Sequence, residues 1–270
     1  MTIAPGMALV TVEVKGQKVG TFGAFVFDLD GVVTDTTDMH ARAWQTVFDR
    51  HLGDLAGAAG VDAPRYHPVA DYAKYLDGRP RFDATRDVLT ACGITLPFGE
   101  PGDPAGTATV CALANAKNVE FLRLVRSEGV KPYRSTMKLL GMLREASVPT
   151  ALVSSSMDCD TVTHAAGVAD AFDVRLSGVD IRALGVPGKP HPGGFLEGAR
   201  RLGVAPADSV VLEDAVAGVE AARRGGFGLV IGIDRKASGA GLARFADVVV
   251  QDADELDVSL PAAKFDGGSA

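Results

Sequence analysis

The chain is poor in cysteine: three among 270 residues, Cys92, Cys111 and Cys159, widely spaced and with no C-x-x-C pair. That number is odd and the spacing irregular, which excludes a disulfide framework and a zinc site and suits a reducing compartment, with the cytoplasm as the expected location. No run approaches the ~18 apolar residues needed to span a bilayer. The stretch around Phe227 to Ile233 comes nearest, and glycines break it. A basic segment followed by an apolar one is also missing at the start, so no secretory signal is expected. Lys plus Arg total 27 against 34 Asp plus Glu, for a net charge of −7, and the cations are not clustered. A nucleic-acid surface and an anionic membrane are therefore not expected partners.

What is present is an ordinary globular composition, 47% apolar and 23% charged, which excludes a disordered chain. Val10, Val12 and Val14 alternate with polar neighbours and predict an edge strand or hairpin around Lys15-Gly16. The run Gly23-Ala-Phe-Val-Phe-Asp28 predicts a buried strand that ends in carboxylates. Further short apolar runs at 149–153, 209–212, 227–231 and 246–250 alternate with helical patterns near 135–146, 157–166, 194–202 and up to Arg224. Such alternation predicts an α/β fold, a doubly wound and mostly parallel sheet.

The interval 38–132 has helical patterns at 38–52, 82–92 and 108–127 and no convincing strand. It predicts an inserted α-helical cap domain, with the catalytic core formed discontinuously by 1–37 and 133–270. Long loops are expected around Asp54–Pro64 and Pro97–Pro104, and the tail from Asp266 to Ala270 is expected to be disordered.

In an open parallel sheet, ligands bind beyond the carboxyl ends of the strands. Polar groups gather there in four loops: Asp28 and Asp30, Ser154, Lys189, and Glu213 with Asp214. Each has a plain structural alternative. Asp30-Gly31 suits a turn, Ser154 or Ser156 a helix cap, Lys189 a solvated loop, and Glu213-Asp214 the positive end of a helix. Together they are harder to dismiss, because four carboxylates at one apolar sheet edge repel each other. A divalent, oxygen-seeking cation resolves that conflict, and Mg²⁺ suits a site that offers few carboxylates and shares the ion with water and phosphate.

Phe27-Asp-Leu-Asp-Gly-Val-Val-Thr-Asp-Thr36, the Ser154 turn, Gly188-Lys-Pro-His-Pro192 and Leu212-Glu-Asp-Ala-Val-Ala-Gly218 resemble, in order and spacing, the four motifs of the haloacid dehalogenase superfamily. The resemblance implies a Rossmann-like core with Asp28 as nucleophile and Asp30 as general acid and base. It also implies Mg²⁺ held by Asp28, the Asp30 carbonyl, Glu213 and Asp214, with Ser154 and Lys189 on the phosphoryl oxygens. Having both Asp28 and Asp30 points to phosphate-ester chemistry.

Thr36-Thr-Asp-Met-His40-Ala-Arg-Ala-Trp44 is similar to the β-phosphoglucomutase-like subgroup, as are Tyr75-Leu-Asp-Gly-Arg-Pro-Arg81 and Asn115-Ala-Lys117-Asn118. That similarity implies substrate contacts from Thr36, His40, Trp44, Arg81, Lys117, Ser155 and Ser156. Arg81 would hold the non-reacting phosphate through its bidentate fork. For His40 and Trp44 simple hinge packing is the alternative, and for Arg81 and Lys117 a solvated face. The chain departs from the subgroup at Asp77, where the pattern has Lys, and at Met157-Asp158, where it has Lys-Asn; Arg79 is the residue placed to compensate.

The expected activity is a phosphomutase that interconverts β-glucose 1-phosphate and glucose 6-phosphate through an aspartyl-phosphate and a 1,6-bisphosphate. A sugar phosphatase is the alternative, and a non-catalytic protein that binds Mg²⁺ and a phosphosugar is a third possibility. The expected partner is a small sugar phosphate, and the expected state is a monomer or weak homodimer.

Overall fold

A computed structural model describes residues 8–62, 66–235 and 241–260. Its centre is a six-stranded parallel sheet formed by β3 (Ala24–Phe27), β4 (Thr150–Val153), β5 (Val174–Leu176), β6 (Ser209–Glu213), β7 (Leu229–Ile233) and β8 (Val248–Val250). The spatial order is β5-β4-β3-β6-β7-β8, so the two halves of the sheet diverge from β3. Every residue of β3 and β4 is buried, as expected of strands covered on both faces.

Side-chain alternation sorts the sheet into two apolar layers. Phe25, Phe27, Leu152, Val210, Leu212 and Ile231 pack on one side with Leu139 and Leu143 of α4 (Arg134–Glu145) and Val162 of α5 (Cys159–Ala165). Val26, Ala151, Val153, Val211 and Val230 pack on the other side. There they meet Phe195 and Ala199 of α7 (Gly193–Leu202) and Val219 and Ala222 of α8 (Val216–Arg224). The period of two along each strand thus fixes register against both helical layers. Short β5 and the helix after it, α6 (Gly178–Ala183), carry too few apolar residues to stand out in the sequence.

β1 (Val10–Val14) and β2 (Gln17–Phe22) form the expected hairpin, and both Lys15 and Gly16 have positive φ, as a tight two-residue turn requires. The second partner of β1 is β9 (Leu256–Ser259), which completes a separate antiparallel sheet.

Between β3 and β4 the chain forms α1 (Thr37–Ala59), a π-helical turn (Tyr72–Leu76), α2 (Arg81–Ala91) and α3 (Val110–Glu128). Trp44, Phe48, Leu52, Ala56, Val88, Leu89 and Leu113 give these helices an apolar core of their own. The helix expected over 38–52 runs seven residues further, so most of the loop expected at Asp54–Pro64 is helical. Its apolar stripe continues at four-residue spacing through Phe48, Leu52 and Ala56, and Gly60 ends it with φ +68°. Pro64 and the tail from Asp266 lie outside the described residues.

The two chain crossings that join this helical block to the sheet are hydrogen-bonded to each other. Asp35 N–H donates to the Lys131 carbonyl (2.9 Å) and Tyr133 N–H to that of Val33 (2.9 Å). Among the described residues, no helix is long and apolar enough to cross a membrane.

Candidate active site

The strand ends deliver the polar groups. Asp28 directly follows β3, Ser154 follows β4, and Glu213 ends β6 with Asp214 next. Lys189 arrives on the loop before α7. Its Nζ stands 2.5 Å from Asp28 Oδ1 and 2.5 Å from Glu213 Oε1, and all three side chains are buried. Their charges hold the Lys189 ammonium firmly protonated against the opposing effect of burial.

Glu213 was expected among the metal ligands. Its two oxygens are engaged by Lys189 and by the Ala215 amide (2.6 Å), and it is fully buried behind the cleft wall. Gly218 makes room for it, since a Cβ there would lie 1.8 Å from Oε1. Ser154 is likewise buried, its Oγ accepting from the Ser156 amide (3.0 Å), whereas Ser155 and Ser156 line the pocket. Thr36, expected to touch substrate, has no exposed surface and donates its hydroxyl proton to Asp30 Oδ1. The structure makes it a support for Asp30.

Asp28, Asp30 and Asp214 face one cavity of about 70 Å³ between sheet and helical block. Burial drives the carboxyls of Asp28 and Asp214 well above the usual range. Lys189 opposes this at both sites, while Glu213, together with Asp30 at Asp28 and Asp77 at Asp214, adds to it. Gly31 has φ +83°, and a Cβ on it would lie 1.8 Å from Asp214 Oδ2, so only glycine lets the turn after Asp30 approach that carboxylate.

The donor set is oxygen only and carries more negative charge than Lys189 neutralises. Among the described residues, no group of three or more His, Cys, Asp and Glu side chains is disposed as a metal cage. The carboxylates of Asp28 and Asp214 on one cavity are hard oxygen donors of the kind that Mg²⁺ takes, with its remaining positions left to water and phosphate.

Asp30 behaves differently. Burial pushes its carboxyl up, but His40 and Thr36 outweigh this and hold it below the usual range. His40 Nε2 lies 3.2 Å from Asp30 Oδ1, and its Nδ1 lies 2.7 Å from Lys117 Nζ. When protonated, Lys117 donates to Nδ1, which leaves the Nε2 proton on the side of Asp30, at pair distance but outside hydrogen-bond geometry. The His40 ring stacks on Phe121 at 3.9 Å, and Lys117 Nζ also sits 5.1 Å from the Trp44 ring centre. Burial lowers the Lys117 ammonium to about 7 and, with Lys117 beside it, lowers His40 as well. A line of three side chains thus runs from α3 through α1 to Asp30.

Arg81 opens α2 and faces the same cavity, where its Nη1 donates to Asp158 Oδ2 at 2.9 Å. Arg79, placed by its sequence position to replace a missing cation, pairs with Asp87 of its own helical block at 2.7 Å. Sequence reasoning did not find Tyr72, whose half-buried side chain lines the cavity from the π-helical turn. It also did not find Arg235, which donates to the Gly31 carbonyl at 3.0 Å from beyond β7. A residue that acts on backbone atoms some 200 positions away leaves no local pattern to read.

Comparison with known proteins bears on the family and the fold. The model of the haloacid dehalogenase-like hydrolase family matches residues 22–226. A β-phosphoglucomutase of Mycobacterium bovis is 39% identical over 251 residues, which cover 90% of this chain and 96% of the relative. Hexitol phosphatase A of Escherichia coli is 28% identical and is matched over 72% of this chain and 76% of its own length. The crystal structure of β-phosphoglucomutase from Clostridium difficile superposes with a TM-score of 0.67 at 23% identity, covering 87% of this chain and 92% of that one. The chain belongs to the haloacid dehalogenase-like hydrolase family.

Proposed function

We propose that the protein is a phosphomutase that interconverts β-glucose 1-phosphate and glucose 6-phosphate. Phosphorylated Asp28 gives its phosphoryl group to a sugar hydroxyl as ionised Asp30 takes that hydroxyl's proton, and the bond from phosphorus to Asp28 breaks. In the second transfer Asp28 attacks the other phosphorus in line, and Asp30 returns the proton to the departing sugar oxygen as its bond to phosphorus breaks. Lys189 steadies the charge on the phosphoryl oxygens, while Ser155 and Ser156 face the substrate from the pocket wall. Asp28, Asp214 and the Asp30 carbonyl would hold Mg²⁺, whose positive charge would keep Asp28 ionised and offset the charge of the transferring group.

The observation that carries the mutase over the phosphatase is the line Lys117–His40–Asp30. It ties the acid/base to a helix of the cap, so Asp30 is set for proton transfer when the cap is closed and water is excluded. A phosphatase, which admits water, has no need of that tie. The high identity to a mycobacterial β-phosphoglucomutase supports the same reading.

The test supplies Mg²⁺, β-glucose 1-phosphate and a trace of the 1,6-bisphosphate, and follows glucose 6-phosphate and inorganic phosphate together. Glucose 6-phosphate as the main product is expected, and Asp28→Asn abolishes its formation. Stoichiometric inorganic phosphate without the isomer would replace this reading with the phosphatase.

A further inference from the structure

Asp158 is a carboxylate placed where an anionic ligand has to bind. It follows β4 on the core side, its amide donates to Ser156 Oγ at 3.2 Å, and its side chain is 16% exposed. Both of its oxygens are used by the opposite wall of the cavity. Oδ2 accepts from Arg81 Nη1 at 2.9 Å, and Oδ1 accepts from Asn118 Nδ2 at 3.2 Å. Ser155 Oγ donates to the Gly78 carbonyl at 3.0 Å across the same seam. One core carboxylate therefore holds residues of both α2 and α3.

The other cations of this wall are committed within the helical block. Arg79 pairs with Asp87, and Lys117 is bound to His40. Arg81 differs from them in that its counter-ion belongs to the core. Its Nε is buried with no hydrogen-bond partner, so Asp158 does not use the full donor capacity of the guanidinium. A phosphate that reaches Arg81 must either take it from Asp158 or bind beside a second, partly desolvated negative charge. Either route weakens the hold on that phosphate.

We infer that Asp158 is a specificity-determining residue, a competitor built into the protein that occupies Arg81 until the substrate's second phosphate displaces it. The inference rests on the phosphomutase reading, and it gives that chemistry something it requires. A bisphosphate that must leave and return turned round cannot be gripped too tightly at its far end. Asp158 takes Arg81 back as that phosphate lifts away, and the cap keeps a tie to the core while the ligand is absent.

The test uses the non-transferring Asp28→Asn protein, with Trp44, the sole tryptophan and a wall residue of the cavity, as fluorescence reporter. Asp158→Asn keeps the size and the acceptor oxygen and removes the charge. It is expected to tighten binding of β-glucose 1,6-bisphosphate and of pentane-1,5-diyl bisphosphate about tenfold, on the scale of one close charge contact. Binding of inorganic phosphate, which needs no second subsite, is expected to change less than about twofold by the same principle. With Arg81→Ala added, the gain from Asp158→Asn is expected to vanish.

Unchanged or weaker binding of both bisphosphates would overturn the inference, as would a gain that survives Arg81→Ala. A gain confined to the alkyl bisphosphate, with the hexose compound bound by neither protein, would uphold the role of Asp158 and remove the hexose reading instead.

Discussion

Lys189 Nζ lies 2.5 Å from Asp28 Oδ1, and the two side chains are only 5% and 8% exposed. The same ammonium also serves Glu213, so one cation is shared by two buried carboxylates. Lys189→Met leaves both without it. In metal-free buffer the expected loss of stability is about 3–5 kcal/mol, the cost of breaking a buried pair from one side. Adding Glu213→Gln is expected to return part of the lost Tm, since one stranded charge is then removed. A Lys189→Met protein that melts like the wild type would refute the pairing.

Asp28 and Asp214 are held well above the usual carboxyl range in the folded chain, chiefly by burial. The folded state therefore keeps protons that the unfolded state gives up. Metal-free stability is expected to fall as pH rises above the ordinary carboxylate range. Saturating Mg²⁺ should flatten that slope and, at about 100 times its Kd, add about 2.7 kcal/mol. Asp214→Asn should remove most of the Mg²⁺-induced Tm shift. Gly31→Ala should do the same, because the new methyl group would collide with Asp214.

Lys117 titrates at about 7 in the folded protein, lowered by burial, whereas an unfolded lysine titrates near its ordinary value. Between those two values the unfolded chain binds the extra proton, so this residue makes stability rise with pH across that window. Below it, the folded protein carries the full cost of a buried charge. Lys117→Met is accordingly expected to raise Tm relative to the wild type most at pH 6 and progressively less toward pH 10. Thermal melts across that range check the sign. The same variant should lose turnover, because His40 loses the donor that fixes its tautomer.

Arg235 donates to the carbonyls of Gly31 (3.0 Å) and Val32 (3.4 Å), and its guanidinium lies 3.6 Å from the centre of the Tyr133 ring. It braces the turn that follows Asp30 from outside the cleft. Arg235→Ala is expected to lower stability by about 1.5–3 kcal/mol, the range for hydrogen bonds to a charged group. Turnover should fall with little change in KM, since no substrate contact is lost. Arg235→Lys should rescue poorly, because an ammonium cannot span both carbonyls. Steady-state kinetics beside thermal melts separates the two effects.

The sheet was legible in the sequence wherever strands are long and apolar. β3, β4 and β6 announce themselves through continuous Val, Phe and Leu runs, and Asp28, Ser154 and Glu213 could be placed at their ends without coordinates. β5 was not legible, since Arg175 interrupts its three residues and leaves no apolar run, whereas β8, equally short and also at an edge, is three valines. Within the site, residue type showed which groups carry charge but not which way each one faces. Glu213 and Asp214 are neighbours in sequence, yet the first turns inward to Lys189 and the second lines the cavity. Asp158 stood out as a departure from a pattern, but its pairing with Arg81 depends on how the helical block folds back over the sheet.

The paired crossings at Val33–Asp35 and Lys131–Tyr133 have a mechanical consequence. Two tethers fastened side by side behave like the leaves of a door: rotation about their common axis is easy, while sliding and twisting would break backbone bonds. Arg81 and Asn118 both ride on the swinging leaf, so a single angle governs when each of them meets Asp158 on the frame.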